Sequence, residues 1–187
     1  MKRHLPVTFP YRACHTLLAM ILALFVIAII PAPGSSAENQ ASLWSAVKSG
    51  SALVLIRHAL APGTGDPETF TIEDCQTQRN LSNNGRLQAR AIGDIFRANA
   101  ITQAKVYSSQ WCRCLETAEL LNLGPVEELP ILNSFFQNFE RRDSQTKGLQ
   151  DWIESQTLDQ PTVLVTHQVN ITALTQFYPG SGEMVIV

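Results

Sequence analysis

"SALVLIRHAL", Ser51 to Leu60, is apolar from Ala52 to Ile56 and then stops on Arg57-His58. Five consecutive apolar residues, with Val and Ile among them, read as a strand buried on both faces, as in parallel sheets. Ligands of open α/β sheets bind beyond the carboxyl ends of such strands. A guanidinium beside an imidazole at that point is therefore a candidate site. The alternative is a strand end whose Arg meets a surface carboxylate, and the rest of the chain decides between them.

Two further segments repeat the theme. "KVYSS", Lys105 to Ser109, is a short strand running straight into "QWCRCLETAELLNLG", a helix closed by Gly124. "TVLVTH" is apolar from Val163 to Val165 and ends on His167. Helical segments alternate with these strands. One spans Gln40 to Lys48. Another starts at about Ser82, with Ser82, Asn83 and Asn84 as caps and Leu87, Ala91, Ile92 and Ile95 as its apolar face. Others span Lys147 to Gln156 and begin at about Asn170, while "VEELPIL" and "EMVIV" read as weaker strands. The alternation predicts an α/β fold, a three-layer α/β/α sandwich with a mainly parallel sheet. In that fold Arg57-His58, Ser108-Ser109 and Thr166-His167 converge on one sheet edge, and Arg113, one turn into its helix, joins them.

The N-terminus reads as an export signal. Lys2, Arg3 and Arg12 precede the apolar run Leu17 to Ile30, and "PAPGSSA" follows with small residues at Ser35 and Ala37. Residues 1–37 are expected to be a signal peptide cleaved after Ala37. An uncleaved anchor is the alternative, although 14 apolar residues fall short of the roughly 20 a membrane span needs. Either way the protein is exported, periplasmic or secreted. Residues 38–187 then form one domain of 150 residues, with 11 basic against 16 acidic side chains, a net of −5. That balance excludes nucleic acid as a general partner, and a membrane enters only if the leader stays attached.

Three cysteines remain in the exported part: Cys75, Cys112 and Cys114. Their spacing offers neither four zinc ligands nor a thiolate five residues ahead of an Arg, so no metal, cofactor or thiol chemistry is expected. In an oxidising compartment Cys75 is expected to bond Cys112 or Cys114 and pin the long loop between Ala59 and Asn80.

Two Arg and two His at one sheet edge form a receptor for a dianion. Planar guanidinium forks pair with phosphate oxygens, so Arg57 and Arg113 suit a phosphoryl group, and backbone N–H groups near Gln110 are expected to add to the field. A neutral imidazole can attack phosphorus and divide one displacement into two. The second imidazole, once protonated, stabilises charge on the equatorial oxygens.

At this point the chain resembles the histidine phosphatase (phosphoglycerate mutase-like) superfamily. Arg57-His58 matches its R-H signature after an apolar strand, and "LSNNGRLQARAIG" is similar to its L-T-x-x-G-x-x-Q-A-x-x-L-G segment. "YSSQWCRCLETAELL" matches S-S-x-x-x-R-x-x-x-T-A, and "VLVTHQVN" matches the late V-x-H strand end. The resemblance implies His58 as the phospho-accepting nucleophile, with Arg57, Arg113 and His167 as the phosphate pocket. Three departures stand out: Ala59 replaces the usual Gly after R-H, Gln168 follows the second His, and Ser134 or Phe135 falls where mutase-like members carry an acid.

Without the Glu that mutase-like members use as that acid, the candidate proton donors are Asp66, in the loop that leaves strand one beside His58, then Glu140 and Glu183. The expected function is an exported phosphatase of a small phosphorylated substrate. The leader and the R-H-A start resemble phosphatases of lipopolysaccharide core heptose phosphates, which suggests an envelope phosphosugar. A mutase is disfavoured by export and by the missing acid. The rival expectation is a non-catalytic binder of phosphate or phosphorylated ligands that has lost its general acid.

Overall fold

The five-residue apolar run does form the centre of a sheet. β1 (Val54–Arg57) pairs in parallel with β4 (Thr162–Thr166), which pairs in parallel with β2 (Lys105–Ser108), and β2 pairs in parallel with β3 (Val126–Glu128). β5 (Met184–Ile186) closes the other edge, antiparallel to β1, giving the order β3-β2-β4-β1-β5. The computed structural model describes residues 34–187, of which Asn39–Val187 is one compact unit. The leader expected from Leu17 to Ile30 lies outside the described residues. Among the described residues no helix is long and apolar enough to cross a membrane.

Alternation along β1 explains its continuous hydrophobicity. Val54 and Ile56 face one core with Val106, Val163 and Val165, while Leu53 and Leu55 face a second core with Leu164. The first core is covered by α1 (Gly34–Ser49), α2 (Asn83–Ala98) and α3 (Cys112–Leu121) through Val47, Ile92, Phe96, Ala118 and Leu121. The second is covered by α4 (Arg142–Ser155) and α5 (Gln168–Thr175) through Leu149 and Ile171. The expected three layers are present.

Several boundaries and one helix face differ from the sequence reading. Leu87, Ala91 and Ile95 are exposed, and α2 instead buries Gly85, Ala89, Ile92, Gly93 and Phe96. Its core face is built around two glycines, because a Cβ on Gly85 would sit 2.2 Å from the Leu60 carbonyl oxygen and one on Gly93 2.2 Å from that of Leu121. The backbone contact, not side-chain hydrophobicity, sets the rotation of the helix. α3 ends at Asn122, which adopts the left-handed conformation at φ 52°, before Gly124 is reached. α4 begins at Arg142 and α5 at Gln168, both ahead of expectation.

The segment between β1 and α2 has little regular structure, a 3₁₀ turn at Cys75–Thr77 excepted. Its cross-link is Cys75–Cys112, with a Cα–Cα separation of 5.7 Å, and Cys114 is free and buried. Gln78 reinforces the tie: its side-chain amide donates to the Thr71 and Ile72 carbonyls, and its Oε1 accepts from Cys112 N–H at 2.9 Å.

Two outcomes follow from this packing. Gly93→Ala lowers stability by about 1–3 kcal/mol through overpacking against α3, whereas Leu87→Ala stays within about 0.5 kcal/mol, as urea melts would read. Reducing Cys75–Cys112, which closes a segment with a sequence separation of 37, removes about 3–4 kcal/mol on the chain-entropy account and raises KM by freeing the loop. Thiol titration of the unfolded, unreduced protein checks the premise: one free thiol among residues 38–187 is expected, and three would contradict it.

Candidate active site

The sheet register carries the side chains to one place. Arg57 lies opposite Thr166, and Ser108 opposite Val165, so the next residues, His58, His167 and Ser109, leave three adjacent strands together. Backbone bonds continue the register past the strand ends: His58 N–H donates to the Thr166 carbonyl and Ser109 N–H to that of Val165, both at 2.9 Å. The two imidazole centroids are 5.5 Å apart.

A cavity of about 260 Å³ opens beyond these ends, lined by Arg57, His58, Asp66, Arg79, Arg113 and His167. Further out, Ser134, Phe136, Gln137, Asn138, Arg141 and Tyr178 form its mouth. All five residues singled out from the sequence therefore line one pocket. Glu140 and Glu183 do not, so Asp66 is the only carboxylate among the residues lining it. The lining holds four guanidinium groups, those of Arg57, Arg79, Arg113 and Arg141, to that single carboxylate, in a chain whose net charge is −2.

His58 is held in one tautomer. Its Nδ1 is 2.8 Å from the Ala59 carbonyl, which can only accept, so Nδ1 carries the proton and Nε2 keeps its lone pair. Arg113 Nε donates to that Nε2 at 3.2 Å. Burial, then the charges of Arg113, Arg79 and Arg57, lower the pKa of His58 to about 3 against the opposing Ala59 bond. The ring is neutral at ordinary pH. The Ala59 methyl, where a Gly was expected, packs with Ala61, Leu81 and Ala89. Ala59 N–H donates to Thr117 Oγ1, which in turn donates to the Arg113 carbonyl, tying this turn to α3.

His167 sits at the start of α5, with Nε2 2.9 Å from Ser109 Oγ and 3.5 Å from Cys114 Sγ. Burial and the neighbouring Arg113 hold its pKa well below the usual histidine value. Cys114 is fully enclosed, and burial pushes its thiol up to about 12, so it is a packing residue. Arg57 donates through Nη1 to the Pro179 carbonyl at 2.9 Å, while its buried Nε has no acceptor. An orphaned donor in a pocket wall is what an anionic oxygen would satisfy.

Asp66 makes more bonds than any other carboxylate here. Oδ1 accepts from Arg113 Nη1 at 2.7 Å and from Arg79 N–H at 3.1 Å, and Oδ2 from Arg113 Nη2 and Trp111 Nε1, both at 3.0 Å. Burial works to raise its pKa, but the hydrogen bonds and charge of Arg113 outweigh that and lower it, so it is ionised. The N–H groups expected to bind phosphate near Gln110 are already engaged. Gln110 N–H donates to Asn133 Oδ1, Trp111 N–H to Ser109 Oγ and Cys112 N–H to Gln78 Oε1.

The sequence reading missed Arg79, the Trp111 indole and the segment around Tyr178-Pro179. Arg79 is tied to the Gly65 carbonyl through Nε at 2.8 Å and to the Ala61 carbonyl through Nη1. Trp111 stacks on Phe70 with centroids 5.0 Å apart. Arg79 and Tyr178-Pro179 lie in loops with no periodicity, so the hydrophobic pattern carries no signal for them.

Residues 53–146, half of the chain, match the family described as "Histidine phosphatase superfamily (branch 1)". No curated protein sequence matches the chain. The fold is similar to that of the mycobacterial glucosyl-3-phosphoglycerate phosphatase, at 18% identity, a TM-score of 0.52 and coverage of 72% of this chain and 91% of that one. It is similar also to the phosphoserine phosphatase of Entamoeba histolytica in complex with 3-phosphoglyceric acid, at 16% identity, a TM-score of 0.53 and coverage of 72% and 89%. The chain belongs to the histidine phosphatase superfamily, branch 1, and its enzyme class is histidine-type phosphoric monoester hydrolase.

Proposed function

We propose that this protein is an exported phosphatase that hydrolyses a small phosphomonoester through a phosphohistidine on His58. The observation that carries the reading is the neutral His58, with Nδ1–H fixed on the Ala59 carbonyl and the Nε2 lone pair turned toward Arg113. Nε2 attacks phosphorus, the N–P bond forms, and the ester P–O bond breaks with its electron pair leaving on the alcohol oxygen. The departing alkoxide takes a proton from solvent water. A second water then attacks the phosphohistidine, the N–P electron pair returns to Nε2 as phosphate departs, and the proton this water loses restores the balance. Arg57 and Arg113 stabilise the equatorial oxygens in a site where burial strengthens each interaction. Burial and the charge of Arg113 keep His167 neutral, and a bound dianion favours its protonated form, which adds a third positive donor.

Export is supported by the charged and apolar leader ahead of Glu38. A phosphosugar of the cell envelope is supported by the mouth. Phe136 and Tyr178 are exposed there at 41% and 69%, beside Gln137, Asn138 and Arg141, and exposed aromatic faces next to amides suit a sugar ring.

His58→Ala is expected to reduce kcat on an aryl phosphate by on the order of 10³-fold or more. It should also abolish acid-labile phosphoenzyme labelled from the substrate. Label on His167 instead, or activity within a few fold of wild type, contradicts the reading. Binding of phosphate without turnover of any ester by the wild type would favour a binding protein. The depressed pKa values add a pH prediction. A histidine charged when unfolded but neutral when folded gives stability that is full above about pH 6.5 and lost as pH falls toward its folded value, about 3 for His58. Between pH 6.5 and 5 this group alone accounts for about 2 kcal/mol, and urea melts of His58→Asn should show a shallower decline.

A further inference from the structure

We infer that Asp66 is the positioning residue for Arg113, holding the far end of its guanidinium so that the other edge faces His58 and the incoming phosphoryl group. The inference rests on the phosphatase reading above and assigns to Asp66 a role other than proton donation. A guanidinium offers five N–H donors in two usable forks, one at the tip (Nη1 and Nη2) and one at the side (Nε and Nη2). Asp66 takes the tip, with bonds of 2.7 and 3.0 Å. The side fork is thereby turned inward, with Nε 3.2 Å from His58 Nε2, the atom proposed to attack. An entering phosphoryl group replaces that contact: the side-fork N–H groups pass from Nε2 to an equatorial oxygen, and the freed lone pair meets phosphorus.

The same carboxylate has little left to give. Its remaining acceptor sites are taken by Arg79 N–H and Trp111 Nε1, and its side chain is 7% exposed. A proton donor must carry a proton at working pH and reach the leaving oxygen. Four donated hydrogen bonds fix the opposite state. Asp66 thus draws a loop residue, an indole and the first turn of α3 onto one point, and the Cys75–Cys112 bond closes the same loop against the same helix. Without it, Arg113 would lie beside Arg79 and Arg57 with no counter-charge in the pocket wall, and like-charge repulsion would move it off the required direction.

The test is Asp66→Asn in the full protein, assayed on p-nitrophenyl phosphate and on an alkyl phosphate, with inorganic phosphate binding by calorimetry and folding by circular dichroism. Positioning predicts a loss in kcat/KM of about 10- to 100-fold, equal within a few fold for the two esters, and weaker phosphate binding. It also predicts that the loss shrinks to a few fold when Arg113 is already Ala, since the two act as a unit. A general acid would spare the aryl ester, penalise the alkyl ester and leave phosphate binding unchanged, and that result overturns the inference. So does tighter phosphate binding, which would make Asp66 a competitor for the pocket. A fall in Tm with kinetic constants intact overturns it as well, since the role would then be structural only. If Asp66→Asn does not fold, Trp111→Phe removes one of the four bonds and is expected to give a smaller loss of the same pattern. Should the wild type turn over neither ester, the phosphatase reading fails while the phosphate-binding arm still reports on Asp66.

Discussion

The register of three strands is the constraint on which the rest of the structure depends. β4 lies between β1 and β2, so Arg57, Thr166 and Ser108 end almost level, and each strand continues past its last ladder bond into a polar residue. A slip of one residue in β1 would exchange Val54 and Ile56 with Leu53 and Leu55 across the sheet, mismatching both cores at once. It would also draw His58 back into the sheet. Core packing and site geometry are thus fixed by one alignment, so His58 needs little else to place it along the strand axis.

That alignment leaves a concentration of positive charge that the fold must manage. Arg113 is 3% exposed and Arg57 half-buried, and desolvating guanidinium groups is costly unless acceptors are supplied. Three of the four pocket arginines have found them: Arg57 the Pro179 carbonyl, Arg79 the carbonyls of Gly65 and Ala61, and Arg113 the Asp66 carboxylate. These acceptors come from loops rather than from the sheet. The long segment after β1 and the Tyr178–Gly182 connection are therefore the electrostatic lining of the site. The uncommitted donors, including Arg57 Nε, favour an anion, while burial, and then the charge of Arg113, hold both imidazoles neutral.

How much of this was legible in the sequence follows from the range of each interaction. Strands that turn abruptly polar, as at Ile56-Arg57 and Val165-Thr166-His167, reveal both the layer architecture and the site because sheet register is nearly obligatory once the hydrophobic pattern is given. Arg113 was legible through its one-turn offset from Ser109. The facing side of α2 was not, since it depends on Gly85 and Gly93 approaching the carbonyls of Leu60 and Leu121, and a hydrophobic count reads a glycine as absence. Arg79 was invisible for a related reason. Its partners, Gly65 and Ala61, lie in an aperiodic loop whose path is set by Cys75–Cys112 and by the Gln78 amide. Asp66 was found by proximity to β1, yet its partner could not be, because pairing with Arg113 spans 47 residues and a loop of undetermined course.

The departures from the family pattern then make physical sense together. Of the two residues that the resemblance sets where mutase-like members carry an acid, Ser134 lines the mouth and Phe135 is buried in the core, so neither offers a carboxylate to protonate an alkoxide. The only carboxylate in the lining is committed to Arg113, which strengthens transition-state binding of the phosphoryl group rather than departure of the alcohol. In a dissociative phosphoryl transfer, charge builds on the leaving oxygen and the phosphoryl spreads its own over three equatorial oxygens. A pocket rich in oriented cations and poor in proton donors lowers the second burden far more than the first. Substrate choice is thereby tilted toward leaving groups that tolerate charge, or toward substrates whose own neighbouring hydroxyl or ammonium group supplies the proton.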